Sequence, residues 1–366
     1  MFNYETRTIK ALLVLADLRI HGSMTPTEST AHSGRRADRP ATETSGRERT
    51  GATDLRALQL VTTARPFFAE QLRALSRNGV DSTTLPVSGP SGSRSVTHFL
   101  RYYQDVLART LRPGTAGDWD VIHANFGLVA PHALAQPVRP VVLSLWGSDL
   151  MGKYGTVSRW CARRCDAVIV MSEEMADLVD VECHVIPHGI DFERFAPRSR
   201  REARASLGWK SDSRHVLFPY APDREVKDYP RAERVVERAG DRSDAPNAPI
   251  RLHAVHGISH EEVPTYMNAA DAMLMTSRRE GSPNAIKEAL ACNLPIVATD
   301  VGDVGERLDG VYPSYVCDTD EDLASALTTV FDIDARSNGR ETVEDASLER
   351  TGEQLRAVYE SVGVGT

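Results

Sequence analysis

A strand–loop–helix–strand unit between residues 272 and 299 constrains the fold more than any other feature of this sequence. The apolar run Ala272–Met275 predicts a parallel strand that is buried on both faces. The helix after it is expected to end near Asn293, and a second buried strand begins at Pro295. Parallel strands joined by a helix form open α/β sheets, which bind ligands at the carboxyl ends of their strands. The unit therefore predicts such a sheet, with a ligand site in the loop after its first strand.

The loop after this strand contains the residues that a tight turn into a helix needs. Gly281 permits the turn, Ser282 is a good N-cap, and Pro283 suits the first helical position. Free backbone N–H groups at the start of the helix point toward an anion or a sugar hydroxyl. These groups belong to Asn284, Ala285 and Ile286.

Two glutamates lie eight residues apart across this loop and helix. Glu280 follows the strand, where it is placed to face a sugar. Glu288 lies on the same helical face as Asn284, and its side chain leans toward the helix N-terminus. A carboxylate there can accept two hydrogen bonds from a ribose diol, as the acidic residue of dinucleotide sites does. The alternative is two solvated glutamates in a chain with 51 acidic residues.

The letters EGSP at residues 280–283 and EA at residues 288–289 resemble the Glu-x7-Glu signature of the retaining glycosyltransferases of family four, also called glycosyl transferases group 1. Residues 183–197 look like the segment that joins the family's two domains, with His188 in place of the usual Asn. Residues 300–306 are similar to its Gly-Gly-x-x-Glu turn, with an Asp in place of the second Gly. The resemblance implies an α/β protein with the GT-B fold, in which two Rossmann-like, doubly wound domains face each other across a cleft.

Two cations three residues apart follow the predicted strand His215–Phe218. Arg224 offers a planar fork and Lys227 a point charge, which together suit a diphosphate at the carboxyl end of a strand. The resemblance assigns both residues to the diphosphate of the donor. The alternative is an exposed basic loop whose charges are paired by its own acidic neighbours.

The first half of the chain alternates predicted strands and helices, which is typical of a doubly wound parallel sheet. Residues 63–67 stand where the family has a Gly-rich loop. Trp146 and Asp149 align with the family's HG-x-D loop, and they are the expected acceptor-side residues together with His123 and Asn125 at the end of another strand. A core position for the tryptophan and a satisfied structural role for the histidine are the alternatives.

Four segments are expected along the chain. Residues 1–54 form an extension, largely disordered because residues 21–54 contain no Val, Ile, Leu, Phe, Tyr or Trp. The other three are an acceptor-side domain (55–187), a donor-binding domain (188–340) and a C-terminal helix (341–366) that, as the resemblance implies, packs back on the first domain.

Composition and motif placement exclude several classes of partner and cofactor. A net charge of −8 without a basic stripe argues against nucleic acid. Without a signal peptide or an apolar stretch long enough to cross a bilayer, and with an odd count of five cysteines, we expect a cytoplasmic protein, leaving open a peripheral contact with the inner face of the membrane. Asp318–Asp320 and Asp332–Asp334 look like the metal motif of GT-A transferases, but Asp320 is expected to cap a helix. No metal and no cofactor are therefore predicted.

The sequence thus predicts a metal-independent glycosyltransferase that moves a sugar from a UDP- or GDP-type nucleotide sugar to a hydroxyl of a cell-surface or lipid-linked glycan, with retention implied by the resemblance. The predicted catalytic residues are Arg224, Lys227 and Glu280, and the predicted donor-binding residues are Glu288, Ser282, Pro283, Asn284 and Ala285. The alternatives are an inactive GT-B partner or nucleotide-sugar-binding subunit, and a GT-B nucleotide-sugar epimerase.

Overall fold

A computed structural model describes residues 55–89, 94–111, 119–242 and 249–363. The predicted extension, residues 1–54, lies outside the described residues. Within the described chain, two parallel sheets each organise a separate hydrophobic core. This arrangement confirms the expected pair of Rossmann-like, doubly wound α/β domains.

The first sheet has six parallel strands in the order β2-β1-β3-β4-β5-β6. These strands are β1 Leu55–Val61, β2 Val80–Pro86, β3 Val121–Asn125, β4 Val141–Ser144, β5 Ala167–Val170 and β6 His184–Val185. The helices of this half are α1 Pro66–Arg77, α2 Val96–Thr110, α3 Ala130–Ala135, α4 Gly155–Ala162 and α5 Glu173–Asp177. Every residue of β3, β4 and β5 is buried, as expected for central parallel strands that are covered on both faces.

The second sheet has five parallel strands in the order β11-β10-β9-β7-β8. These are β7 Arg214–Phe218, β8 Ile250–Ala254, β9 Ala272–Met275, β10 Ile296–Ala298 and β11 Tyr315–Val316. The helices of this half are α6 Arg200–Leu207, α7 Tyr229–Arg242, α8 Val263–Ala269, α9 Asn284–Ala291, α10 Val304–Leu308, α11 Asp320–Ile333, α12 Gly339–Thr342 and α13 Leu348–Ser361, with 3-10 turns at Glu225–Lys227 and Glu344–Ala346. The sequence analysis did not identify β8, β11, α6 or α8.

Helix α13 crosses from the second domain to the first. Leu355, Val358 and Tyr359 are buried in the core of the first sheet. The hydroxyl of Tyr359 lies 2.7 Å from Nδ1 of His123 on β3. The last helix therefore fixes the first domain by apolar burial and by a buried hydrogen bond.

The helices and cysteines bear on the expected location of the chain. Among the described residues, no helix combines the length and apolar character that crossing a bilayer requires. All five cysteines are free thiols, two of them buried.

Candidate functional site

A cleft of about 340 Å³ lies where the start of α1 faces the second domain. Pro66 and Phe67 line it from the first domain. Four of the predicted site residues line it from the second domain: Arg224, Asn284, Ala285 and Glu288. The volume is within the range of small-molecule sites.

The helix that carries the second motif glutamate begins one residue later than expected. Pro283 is the N-cap of α9 and Asn284 is its first residue, so the predicted N-cap role of Ser282 is wrong. The hydroxyl of Ser282 instead donates to Oδ2 of Asp303 (2.7 Å). The N–H of Ile286 donates to the carbonyl of Pro283 (3.1 Å), so the N–H groups of Asn284 and Ala285 are the ones that can face a ligand.

Asp303, which stands where the resemblance expects glycine, holds the motif loop in place. Its side chain is 4% exposed, and its backbone N–H donates to the carbonyl of Gly281 (3.1 Å). Gly302 has φ +61°, and a Cβ atom there would lie 2.2 Å from the oxygen of Gly281. The turn therefore requires glycine at 302, whereas position 303 has room for a carboxylate that binds Ser282.

A buried lysine connects the motif helix to the segment between the domains. Lys287 is fully buried, and its Nζ donates to the carbonyl oxygen of His188 (3.1 Å) and to Oγ of Ser282 (3.2 Å). Burial lowers the pKa of Lys287 to about 8. These hydrogen bonds fix α9 relative to the interdomain segment.

The two predicted cations occupy different environments around Tyr220. Arg224 is exposed, with its guanidinium carbon 5.9 Å from the centre of the Tyr220 ring. Lys227 is 4% exposed, lies 3.7 Å from the same ring centre and forms an ion pair with Glu280. Burial lowers the pKa of Lys227, and the nearby Glu280 partly opposes this shift. In this structure, only Arg224 of the two cations lines the open cleft.

Thr276, at the end of β9, joins the cation loop to the motif loop. Its Oγ1 donates to the carbonyl oxygens of Lys227 and Asp228, at 3.0 Å each. The N–H of Arg278 donates to the carbonyl of Val226 (2.9 Å). The loops that follow β7 and β9 therefore form one hydrogen-bonded unit.

Glu288 lies in the cleft but already has a partner. Its Oε1 is 2.8 Å from Nε2 of His260, and its side chain is 12% exposed. The other imidazole nitrogen of His260 lies 3.4 Å from Oε1 of Glu70 on α1 of the first domain. Hydrogen bonds to Glu288 first and Glu70 second raise the pKa of His260 to about 9.

The structure places two of the predicted acceptor-side residues inside the first domain. His123 is fully buried between the hydroxyls of Tyr359 and Ser144, at 2.7 Å each. Asn125 is also fully buried and donates to Oε1 of Gln59 (2.8 Å). Burial lowers the pKa of His123 to about 3. Neither side chain lines the cleft, so His123 has the structural role that was its alternative, and Asn125 is likewise held inside the domain rather than at an acceptor site.

Asp149 is buried beneath the loop that was expected to meet the acceptor. Its two carboxylate oxygens accept the N–H groups of Gly127 (2.8 Å) and Trp146 (2.9 Å). Burial raises its pKa to about 6, against the effect of these hydrogen bonds. Asp149 is fully buried and binds backbone N–H groups, so its carboxylate orders the loop and is not available to contact an acceptor.

Trp146 belongs to an aromatic cluster that reaches the cleft. Its ring centre is 4.9 Å from that of Phe67 and 5.7 Å from that of His188. Trp146 Nε1 and His188 Nε2 are buried and have no hydrogen-bond partner among the described residues. Phe67 lines the cleft, so the cluster reaches the cleft through Phe67, while Trp146 also packs against the core of the first domain. An acceptor-side role for Trp146 therefore stays a prediction.

Three residues at the site were missed by the sequence analysis: Tyr220, His260 and Lys287. Lys287 directly precedes the second motif glutamate in a chain that is poor in lysine, and this scarcity was an available signal. His260 lies between β8 and α8, neither of which was predicted. The alternating Ile250, Leu252 and Ala254 of β8 would have revealed the strand.

The two Asp-x-Asp pairs lie at the ends of α11. Thr319, not Asp320, is the N-cap, because its side chain accepts the N–H of Asp322. Asp320 pairs instead with Arg231 (2.6 Å), and Asp334 pairs with Arg200 (2.9 Å). Across the described part of the chain, no group of three or more His, Cys, Asp or Glu side chains is arranged to hold a metal ion.

Comparison with protein families supports both halves of this architecture. Residues 57–194 match the model described as Glycosyltransferase Family 4, and residues 233–332 match the one described as Glycosyl transferases group 1. The first match lies mostly in the first domain and the second lies in the second domain. Together with the two parallel sheets, these matches identify the fold as GT-B and relate both halves of the chain to glycosyltransferases.

Individual relatives agree with that class. The chain is 29% identical over 214 residues to the putative teichuronic acid biosynthesis glycosyltransferase TuaC of Bacillus subtilis, covering 50% of this chain and 54% of that protein. It is 27% identical over 239 residues to the lipopolysaccharide core biosynthesis mannosyltransferase LpsB of Rhizobium meliloti, covering 56% and 68%. The chain thus spans about half the length of TuaC and about two thirds of LpsB.

A solved structure shares the fold. Anabaena HepE in complex with UDP superimposes with a TM-score of 0.64 at 16% identity, covering 84% of this chain and all of that one. At this identity the likeness concerns the fold alone.

Proposed function

We propose that this chain transfers a sugar from a nucleoside-diphosphate sugar to a hydroxyl group of a glycan or lipid-linked acceptor in cell-surface polysaccharide synthesis, with retention and without a metal ion. The observation that carries the proposal is the grouping of Arg224, the α9 N-terminus and Glu288 in one interdomain cleft. Each of the three suits one part of the donor.

The donor contacts follow from the chemistry of these groups. The guanidinium of Arg224 is a fixed fork of donors for phosphate oxygens, and the N–H groups of Asn284 and Ala285 add a second anion-binding surface. The carboxylate of Glu288 accepts hydrogen bonds from the ribose diol. Glu280, paired with Lys227, is assigned to the transferred sugar, where positive charge develops as the glycosidic bond breaks.

The proposed transfer takes place in one displacement and needs no nucleophilic side chain. The bond between the anomeric carbon and the diphosphate oxygen breaks, and a bond from the acceptor oxygen to the same carbon forms on the same face. The leaving diphosphate takes the acceptor proton. Arg224 stabilises the charge that develops on the diphosphate, which is the role a metal ion has in other transferases.

The acceptor class comes from the relatives, whose names refer to teichuronic acid and lipopolysaccharide core. The UDP bound to HepE supports a nucleotide donor. A peripheral contact with the inner face of the membrane accompanies a lipid-linked acceptor in this proposal. Co-sedimentation with anionic lipid vesicles tests that contact separately.

A donor panel tests the proposal most directly. The purified chain is titrated with UDP-, GDP- and dTDP-sugars, and each mixture is followed for slow donor hydrolysis. We expect one nucleotide class to bind and to be hydrolysed. Binding without any turnover, even with acceptor extracts, would favour the inactive binding subunit, and conversion to a different nucleotide sugar would favour an epimerase. If none of the donors binds, the proposal is wrong.

A further inference from the structure

A charge cluster connects the two domains beside the cleft. It consists of Glu70 on α1 of the first domain, Arg194 in the interdomain segment, and His260 and Glu288 in the second domain. The side chains of Glu70 and Glu288 are 3% and 12% exposed. Two carboxylates from opposite domains are therefore joined through one imidazole ring.

Contacts at Nδ1 hold the imidazole ring of His260 in place, and Nε2 on the opposite side of the ring points at Glu288. Its Nδ1 lies 3.4 Å from Oε1 of Glu70 and 3.1 Å from a guanidinium nitrogen of Arg194. Arg194 is fixed in turn by an ion pair with Glu70 and by Glu261 (3.1 Å). Because the imidazole is rigid and planar, these contacts set the direction of the Nε2–H that donates to Glu288 (2.8 Å).

We propose that His260 is a positioning residue for Glu288. It binds Oε1 of the carboxylate and thereby directs Oε2 toward the ribose diol of a nucleoside diphosphate, while Glu70 connects this contact to the first domain. This inference rests on the proposed function, in which Glu288 holds the ribose. It also makes the donor site dependent on a carboxylate from the acceptor-side domain.

The positive charge on His260 gives this contact a pH dependence. The charged groups around His260 are Glu288 and Glu70, with Arg194 against the same ring. The carboxylates raise its pKa to about 9, above the usual value of about 6.5, so the positive charge that strengthens the hydrogen bond to Glu288 is present near neutral pH and is lost as the pH rises through about 9.

Nucleotide titrations of single and double variants test the proposal. Calorimetry with UDP and GDP compares the wild type, His260→Gln, Glu288→Gln and the double variant. We expect His260→Gln to bind the preferred nucleotide about tenfold more weakly and the double variant to bind no more weakly than Glu288→Gln, because the histidine acts through the glutamate. Exposed His184 lies on the edge strand β6, and His184→Gln is the matched control.

Two further measurements separate positioning from a general structural effect. For a 2′,3′-dideoxy nucleotide, the wild type and His260→Gln should bind equally, because the ribose contact is gone. With the normal nucleotide, their difference in affinity should become smaller as the pH rises through about 9, because the neutral imidazole keeps the Nε2–H hydrogen bond and loses only its charge, and any titration of the ligand is common to both proteins. Glu70→Gln, which leaves every cleft residue in place, should weaken nucleotide binding about threefold.

The outcomes distinguish this inference from the function on which it rests. Additive losses in the double variant, an equal loss with the dideoxy nucleotide, or wild-type affinity in both His260→Gln and Glu70→Gln would overturn the positioning role alone. A wild type that binds none of UDP, GDP and dTDP would overturn the proposed function together with this inference.

Discussion

The two domains use the carboxyl ends of their strands in opposite ways. In the first domain, His123 and Asn125 lie on β3 itself, in register with Gln59 and Val61 of β1. Both are 0% exposed. In the second domain, Arg224 and Glu288 come from segments beyond the strand ends and line the cleft.

This difference shows that proximity to a strand end does not by itself identify a ligand-binding residue. A side chain on the strand points into one face of the sheet, where helices cover it and internal partners satisfy it. A side chain in the following loop or first helical turn projects past the sheet and is free to meet a ligand. We therefore expect substitutions in the two domains to affect different quantities.

Arg224 gives the largest expected effect. Arg224→Ala should lower kcat by about 10²–10³, because it removes a preorganised donor from the departing diphosphate. Steady-state kinetics measures the loss, and circular dichroism checks the fold. Lys227 is less suitable for this test, since its removal leaves the partly buried Glu280 without its partner.

A matched arginine control is available nearby. Arg278 is exposed and pairs with Asp228 (2.9 Å) outside the cleft lining. Arg278→Ala should retain nearly wild-type kcat. If the two arginine variants had the same activity, the assignment of Arg224 to the diphosphate would be wrong.

The two motif glutamates should differ in which kinetic constant they change. Glu288→Gln loses a charge-assisted acceptor of the ribose diol, a loss of about 1.5–3 kcal/mol that is present in both ground and transition states. It should therefore raise KM for the donor, whereas Glu280→Gln should mainly lower kcat. Steady-state kinetics and nucleoside-diphosphate titration measure both. Wild-type nucleotide affinity in Glu288→Gln would refute the ribose assignment.

The sequence predicted the strands of the sheets and the loop after β9 better than the surroundings of the first domain's polar residues, for a physical reason. Central parallel strands such as β5 and β9 are continuous apolar runs, which can be identified from local composition. The loop from Glu280 to Asn284 also depends on local turn chemistry. Even there, the N-cap role of Ser282 was mispredicted because its hydroxyl binds Asp303, which lies in a distant turn.

Residues whose roles depend on long-range partners could not be predicted from the sequence. His123 is satisfied by Tyr359, which is 236 residues away. His260 meets Glu70 of the other domain, and no local pattern encodes that contact. Such pairings depend on how α1, α8 and α13 pack, so they required the structure.

Acid sensitivity should be a property of the first domain, where burial lowers the pKa of both His123 and His132. Burial lowers the pKa of His123 to about 3, so below about pH 6.5 the unfolded chain binds a proton that the folded chain does not. Stability should therefore fall as the pH drops from about 6.5 toward 4, with a slope of up to about 1.4 kcal/mol per pH unit from this group. Urea unfolding at several pH values measures this slope.

His123→Gln separates the structural role from an acceptor role. The variant should be less stable at neutral pH, since Tyr359 and Ser144 lose a buried partner, but its stability should decline less steeply with acid. His184→Gln, at an exposed position, should keep the wild-type slope. An unchanged slope in His123→Gln combined with a raised KM for acceptor would place this histidine in the acceptor site after all.

Removal of metal ions by a chelator should have the smallest effect on turnover, because we expect no change. The diphosphate charge is assigned to Arg224 and to the N-terminus of α9, both of which line the cleft. The acidic residues that resemble a metal motif are instead engaged with arginines, as Asp320 is with Arg231. Turnover should therefore be equal before and after treatment with EDTA, and added Mg²⁺ or Mn²⁺ should not raise it. Loss of activity with chelator and recovery with either ion would mean that a metal, rather than the arginine and helix dipole, stabilises the leaving group. The ligands of that metal would then have to come from a part of the chain other than Arg224 and the N-terminus of α9.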